Sequence, residues 1–331
     1  MNFSEKLERQ RLRRSDTSLA TEGAMPLYEA DAMASFSDIK EDSEAKRARK
    51  YALQAMSPVS KRSTDISIEE GERIRQQLES NLNERIDFRY QGSVTTNTHI
   101  KSVSDIDLLV ITQKFQSNEP PLKPTIPYSN GNKDLISLKD SCYRILKNIY
   151  PQAKVELKSK SIRIFGGSLR RDVDVVPSNW HNTEEFKNTN NEIFRGINIL
   201  DTNTQERTNN YPFYNKQLIN QKDTICMGRY KKIIRLTKTI KADSDNPNVD
   251  SISSYDIQAL FYHLDDDMYQ KVDGIDLIDL GIDYLDTLLE SPDYFNNLKV
   301  IDRTRKISEK VSINALKALR NEYFQLYQSL Q

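Results

Sequence analysis

Two aspartates open an otherwise apolar run, and they constrain this chain more than any other feature. Residues 105–112 read DIDLLVIT. Alternation along a strand puts Asp105 and Asp107 on one face, about 7 Å apart at their Cα atoms. Ile106, Leu108, Leu109, Val110 and Ile111 imply a strand buried on at least one face. Two carboxylates at the start of such a strand repel each other and are costly to desolvate. A divalent cation offsets both costs. Magnesium suits them because it takes hard oxygen ligands from a few carboxylates, phosphate and water. For DID alone, a polar strand end at a turn is the plainer alternative.

A second ion, about 4 Å from the first, would need a third carboxylate. DVDVVP at 172–177 offers two. Asp174 is bracketed by Val173, Val175 and Val176, whereas Asp172 follows Arg170-Arg171 nearer a turn and competes for the role. Upstream, Gly92-Ser93 follows the expected strand DFRYQ, twelve residues ahead of Asp105. Glycine lets backbone approach a phosphate closely. The serine hydroxyl and neighbouring N–H groups can cradle a triphosphate tail, and Thr95, Thr96 and Thr98 add hydroxyls. A Gly-Ser turn by itself carries little. With DxD behind it and a further Asp on a later strand, it points to nucleotide transfer.

The remaining features bound the class. A chain of 331 residues suffices for one large two-lobed domain or two smaller ones. Its 48 basic and 48 acidic residues cancel, which argues against a general nucleic-acid coat but allows a local basic cleft for phosphates. Cys142 and Cys226 form no CxxC pair, which fits a reducing cytosol and removes the usual structural zinc patterns. No run approaches the roughly 20 apolar residues of a membrane span. The N-terminus lacks the apolar core of a signal peptide. The expectation is a soluble, cytoplasmic protein with no membrane partner.

Strands cluster in the first half and helices in the second, so the fold class expected is α+β with a C-terminal helical lobe and a ligand cleft between lobes. The segmentation expected is an N-terminal extension over 1–60, partly helical or disordered, a mixed lobe over 61–212 and a helical lobe over 213–331. Within the extension, 41–56 are good helix formers, 16–38 read as loose or partner-dependent, and RQRLRR at 9–14 as a solvated, mobile arm. A helix is expected to begin near Ser67, where SIEE matches a capping box. Residues 113–133 read as a loop and 134–150 as an amphipathic helix. VELKSKSIRIF and LRRDVDVVP read as a hairpin joined through Gly166-Gly167-Ser168. Further helices are expected over 216–242, 254–267, 275–290 and 306–329. Trp180 reads as core, and His99, His181 and His263 as isolated structural or surface residues.

GSVTTNTHIKSVSDIDLLV followed by DVDVVP resembles the signature of the cyclic GMP-AMP synthase/DncV-like nucleotidyltransferases, members of the polymerase β-like superfamily. The matching positions are Gly92, Ser93, Asp105, Asp107 and Asp174. IIRLTKTIK is similar to the family helix whose lysine contacts triphosphate, here Lys238. SSYDIQAL is similar to the helix start whose serine meets phosphate and whose tyrosine stacks on a base, here Ser254 and Tyr255. The resemblance spans about 65–320. It implies a nucleotidyltransferase palm with a helical lobe, the active site lying in the cleft between them. It implies two Mg2+ ions, with Mn2+ as a substitute, on Asp105, Asp107 and Asp174. It further implies synthesis of a cyclic di- or trinucleotide from ribonucleoside triphosphates (ATP, GTP or others) in bacterial anti-phage signalling, where the product activates a separate effector. A regulatory protein partner fits the same pattern. The zinc insertion of the animal enzyme is missing, which argues against direct DNA sensing of that kind.

Bland readings stand beside these. Lys231, Arg235 and Lys238 form one basic helical face, ordinarily a solvated one. Position after the palm favours a phosphate-facing role for Lys238. Ser253 with Asp256 fits a capping box, compatible with an anion site at a helix start. Tyr255 can equally be core. Transfer of a nucleotide to a separate acceptor, such as an RNA end, a protein or a small molecule, would use the same carboxylates. A catalytically dead nucleic-acid-binding module is disfavoured by the intact aspartate set and the zero net charge.

Overall fold

The computed structural model describes residues 2–14, 43–101, 105–123, 128 and 130–331. In chain order the principal elements are α1 (Phe3–Arg14), α2 (Glu44–Met56), α3 (Lys61–Asn81), β1 (Ile86–Gln91), β2 (Ile106–Asn118), α4 (Gly131–Ile149), β3 (Lys154–Leu157), β4 (Ile162–Phe165), β5 (Val173–Asn182), β6 (Gly196–Leu200) and β7 (Arg207–Asn210). There follow α5 (Pro212–Ile225), α6 (Arg229–Asp243), α7 (Ser254–Tyr262), α8 (Leu277–Glu290) and α9 (Ile313–Gln328). Two units result: Lys61–Thr96 with Val103–Gln217, and Met1–Ser60 with Asn97–Ser102 and Leu218–Gln331.

The first unit is built on one mixed sheet. Its path runs β1-β2-β5-β4-β3, and β6 adds to β5 and β7 to β6. The β2–β5 pairing is parallel and the others are antiparallel. Long β5 serves two neighbours: Val173–Val175 pair with β4, and Ser178–His181 with β6. One face of the sheet is apolar through Ile106, Leu108, Val110, Val173 and Val175, which pack with Ile74 and Leu78 of α3 and with Leu138, Cys142 and Leu146 of α4. The alternate positions carry Leu109, Ile111, Val176 and Trp180, packed with Ile197 and Ile199. Asp107 and Asp174 belong to this second set, on the face turned away from α3 and α4.

The second unit has a single helical core. Phe3 and Leu7 of α1 and Tyr51, Ala52 and Ala55 of α2 are buried with Ile233, Leu236 and Ile240 of α6 and with Leu316, Leu319 and Tyr323 of α9. Polar contacts lock the N-terminal helices in. Arg13 grips Asp243 at the end of α6 with both terminal nitrogens, at 2.5 and 2.6 Å, and the Tyr51 hydroxyl donates to the same carboxylate at 2.9 Å. Arg14 donates to the carbonyls of Gln54, Ser57 and Pro58, closing the end of α2. Arg13 and Arg14 are therefore not a solvated arm. Residues 16–38 lie outside the described residues.

Several other sequence expectations are corrected. The capping-box serine does not start a helix: α3 begins at Lys61, and buried Ser67 sits within it, its hydroxyl donating back to Ser63 O. Strand β2 continues through 113–118, where a loop was expected, because Gln116–Asn118 resume pairing with Trp180–Asn182 after an irregularity between Thr112 and Gln116. The helix expected over 216–242 is two helices, divided at Gly228 with φ +82°. The one expected over 254–267 ends at Tyr262, and the last helix begins at Ile313 rather than 306. Among the described residues, no helix is long and apolar enough to cross a membrane.

Candidate active site

The parallel register of β2 and β5 sets Asp107 directly beside Asp174. Both side chains share the sheet face described above. Gly92, just past the end of β1, lies against the Asp107 carboxylate. Its φ is +88°, and a Cβ there would overlap the Asp107 carboxylate. Glycine at this position is thus required both by backbone conformation and by the carboxylate pressed against it. The Gly92-Ser93 turn is tightened by Thr95, whose hydroxyl donates to Gly92 O at 2.9 Å, and by Thr96, which donates to Ser93 O. Thr98 is buried and accepts from Gln258 Nε2. Thr95 and Thr96 thus bond within the turn, and Thr98 bonds to Gln258.

The electrostatics of the pair are unfavourable as they stand. Burial, then the neighbouring Asp174 and Asp105, raise the Asp107 carboxyl from 3.8 to about 7. Asp174 is also raised by burial, partly opposed by Lys158 and Arg163. Asp174 Oδ1 is buried and has no hydrogen-bond partner. A buried acceptor without a donor, beside a second buried carboxylate, is the environment that a hard divalent cation relieves. The donor set fits magnesium or manganese on this ground.

Asp105 stands just ahead of β2 and is 43% exposed. Among the described residues no three His, Cys, Asp or Glu side chains are already gathered as a metal-binding cluster. Asp172 is engaged elsewhere: Arg163 Nη2 lies 2.5 Å from its Oδ2. The same nitrogen approaches Asp105 Oδ2 at 3.8 Å. Arg163 pairs across β4–β5 with Asp174. Sequence reading missed it. The signal was its place between Ile162 and Ile164, both buried, but only strand pairing reveals which carboxylates it meets.

Lys238, Ser254 and Tyr255 lie in the helical unit. Lys238 is 8% exposed, and its ammonium donates to Thr98 O at 2.8 Å. Burial first, then Arg235, Lys101 and Lys241, lower its pKa to about 8. Arg235 is also buried, donating to Met56 O and Asn97 O at 2.7 and 2.8 Å. Neither belongs to a solvated basic face. Lys231 does sit nearer the surface, bonded to Asn220. Ser253 is the N-cap of α7: its hydroxyl accepts from Asp256 N and donates to Asp256 Oδ2. Ser254, in the first turn, is exposed. The Tyr255 ring is partly buried under the Arg305 guanidinium, 5.8 Å from the ring centre, and Arg305 is anchored on Asp256 at 2.5 Å.

Comparison with known proteins is consistent along the whole chain. Residues 217–328 match the model of the cGAS/DncV-like nucleotidyltransferase C-terminal helical domain. The chain is 38% identical over 328 residues to a cyclic dinucleotide synthase CdnE of Yersinia aleksiciae, covering 93% of this chain and 86% of that protein. It is 32% identical over 309 residues to a c-di-GMP synthase of Capnocytophaga granulosa, covering 85% and 87%. Its fold superposes on the structure of a STING-associated CdnE c-di-GMP synthase from Capnocytophaga granulosa with a TM-score of 0.82 and 29% identity, covering 100% of this chain and 99% of that one.

Proposed function

The chain belongs to the cGAS/DncV-like nucleotidyltransferases, and on that premise we propose that it condenses two ribonucleoside triphosphates into a cyclic dinucleotide. The observation that carries this reading is the in-register pair of buried carboxylates, Asp107 and Asp174, with Gly92 lying against the first. Asp105, Asp107 and Asp174 would hold Mg2+, or Mn2+ in its place. Such a bound metal makes a ribose hydroxyl more acidic and neutralises triphosphate charge. The protein's own part is positioning and charge placement, which supply most of the rate in phosphoryl transfer. The Gly92-Ser93 turn offers backbone N–H groups to a triphosphate tail. Lys238 and Ser254 are assigned to phosphate, and Tyr255 to a base. A ribose hydroxyl of one nucleotide attacks the α-phosphorus of the other, and pyrophosphate leaves. A second attack within the linear product closes the ring with loss of a second pyrophosphate.

Relatives described as c-di-GMP synthases share about 30% identity with the chain, so GTP is the first nucleotide to supply. Family membership supports a role in anti-phage signalling, with a separate effector reading the product. The test is incubation of purified protein with each ribonucleoside triphosphate, singly and mixed, with Mg2+ or Mn2+, followed by phosphatase and mass spectrometry. A phosphatase-resistant cyclic dinucleotide, absent with Asp107→Asn, is the expected result. Wild-type-like synthesis by Asp107→Asn would sink the site assignment. Product formed only when an RNA, protein or small-molecule acceptor is added would replace cyclisation by transfer.

A further inference from the structure

Arg163 is a cation built into the acidic end of the sheet, where Lys158 also acts on Asp174. It sits on β4, paired across the strands with Asp174. Its Nη2 touches Asp172 Oδ2 at 2.5 Å and stands 3.8 Å from Asp105 Oδ2. Its guanidinium stacks on the Phe165 ring, 5.2 Å from the ring centre, which fixes the plane of the fork. The Nε is buried and has no acceptor. A guanidinium normally spreads its donors over matching acceptors. This one sets a single terminal nitrogen between two carboxylates, in short contact with Asp172 and at ion-pair distance from Asp105, which is assigned to the metal. Asp105 lies ahead of β2 and so lacks the strand register that fixes Asp107.

We propose that Arg163 is a positioning residue that serves as internal counter-ion to the carboxylate cluster, holding Asp105 near the Asp107–Asp174 pair and competing with the divalent cation for it. The proposal rests on the assignment of Asp105, Asp107 and Asp174 to the metal. Two consequences oppose each other. The positive charge of Arg163 repels an arriving ion, which weakens metal binding. Its approach to Asp105 helps to hold that carboxylate in place, which strengthens it. The charge effect wins. At a separation of about 7 Å and an effective dielectric constant of about 40–80, a single charge facing a divalent one is worth roughly 1–2 kcal/mol. The contact with Asp105 is at 3.8 Å and partly exposed, so its restraint is worth less.

The test is Mn2+ binding to the purified full chain without nucleotide, followed by electron paramagnetic resonance of the free ion, for wild type, Asp107→Asn, Arg163→Gln and Arg163→Lys. Arg163→Gln is expected to bind Mn2+ about five- to thirtyfold more tightly than wild type, the charge effect converted by RT ln K. Arg163→Lys keeps the charge and is expected to stay within about twofold of wild type. Circular dichroism checks that each variant is folded. An Arg163→Gln affinity equal to or weaker than wild type overturns the proposal, as does a Lys variant that behaves like Gln. Failure of the underlying assignment looks different: wild type and Asp107→Asn would then bind Mn2+ equally.

Discussion

Asp107 condenses the chemistry of the site into one side chain. Its carboxyl is raised to about 7 because it is buried beside two other carboxylates. The sign of the linkage follows. Between the ordinary value of 3.8 and about 7, the folded state keeps a proton that the unfolded chain has lost. Stability from this group is therefore fully present at low pH and lost as pH rises through 7. In EDTA, wild type should lose stability between about pH 4 and pH 7, and Asp107→Asn should lose less. At pH 8 the variant should melt higher by roughly 3–8 °C, and the two curves should converge near pH 4. Scanning calorimetry across that range checks it, and saturating Mg2+ should abolish the wild-type loss. A variant that melts lower than wild type at pH 8 in EDTA would contradict the account of mutual repulsion. Much of this was legible in sequence. DIDLLVIT and DVDVVP announced carboxylates on apolar strands, and Gly92 announced a close approach. The choice of Asp174 over Asp172 rested on flanking valines, and the fold adds a physical reason: Asp172 is spent on Arg163.

At the scale of elements, α6 carries two buried cations with different tasks. Arg235 satisfies the carbonyls of Met56 and Asn97, one at the end of α2 and one at the start of the segment that follows the Gly-Ser turn. Lys238 satisfies Thr98 O in that same segment. Burial depresses both, Arg235 to about 10 and Lys238 to about 8, so each charge costs stability that its hydrogen bonds must offset. Arg235→Met leaves two carbonyls without donors, each worth about 1–3 kcal/mol. Relief of the buried charge returns part of that, and the expected net loss is about 1–3 kcal/mol. Lys238→Met strands one carbonyl, where Arg235→Met strands two, and likewise removes a cation that burial depresses. Its melting temperature should stay within about 2 °C of wild type, and KM for the triphosphate should rise at least tenfold. Thermal melts and steady-state kinetics separate the two. A Lys238→Met enzyme with unchanged KM would remove the lysine from the phosphate site. Sequence periodicity located this basic face and favoured phosphate for Lys238, but the carbonyl contacts of Arg235 and Lys238 went unread, because helical spacing does not report what packs against a face. For the same reason β6 and β7 went unread. β7 carries no apolar residue and forms a strand because β6 offers it an edge, and the alternation of Ile197 and Ile199 in β6 is too short to mark a strand.

The whole molecule is held by contacts that sequence distance conceals. Met1–Ser60 form part of the helical unit with Leu218–Gln331, although some 160 residues of chain intervene. Helices α1 and α2 are therefore structural components of that unit. Phe3 and Leu7 are completely buried in the helical core, and each such side chain contributes about 1.5–3 kcal/mol. Arg13 neutralises Asp243, whose side chain is fully buried at the end of the helix that carries Lys238. Removing one partner of a buried pair costs about 3–5 kcal/mol, though Tyr51 remains as a donor to Asp243 and reduces the loss. Arg13→Ala should therefore lower the melting temperature by roughly 4–10 °C with circular dichroism unchanged at 20 °C. Deletion of Met1–Arg14 also strips Phe3, Leu7 and the carbonyl contacts of Arg14, and it should cost more than Arg13→Ala by a clear margin. Activity should fall in parallel with stability in both, since α6 loses its brace at Asp243. A truncated chain that melts like wild type but is more active would show α1 to be a removable restraint. A truncated chain that fails to fold would show that the helical unit cannot close its core without its first fourteen residues.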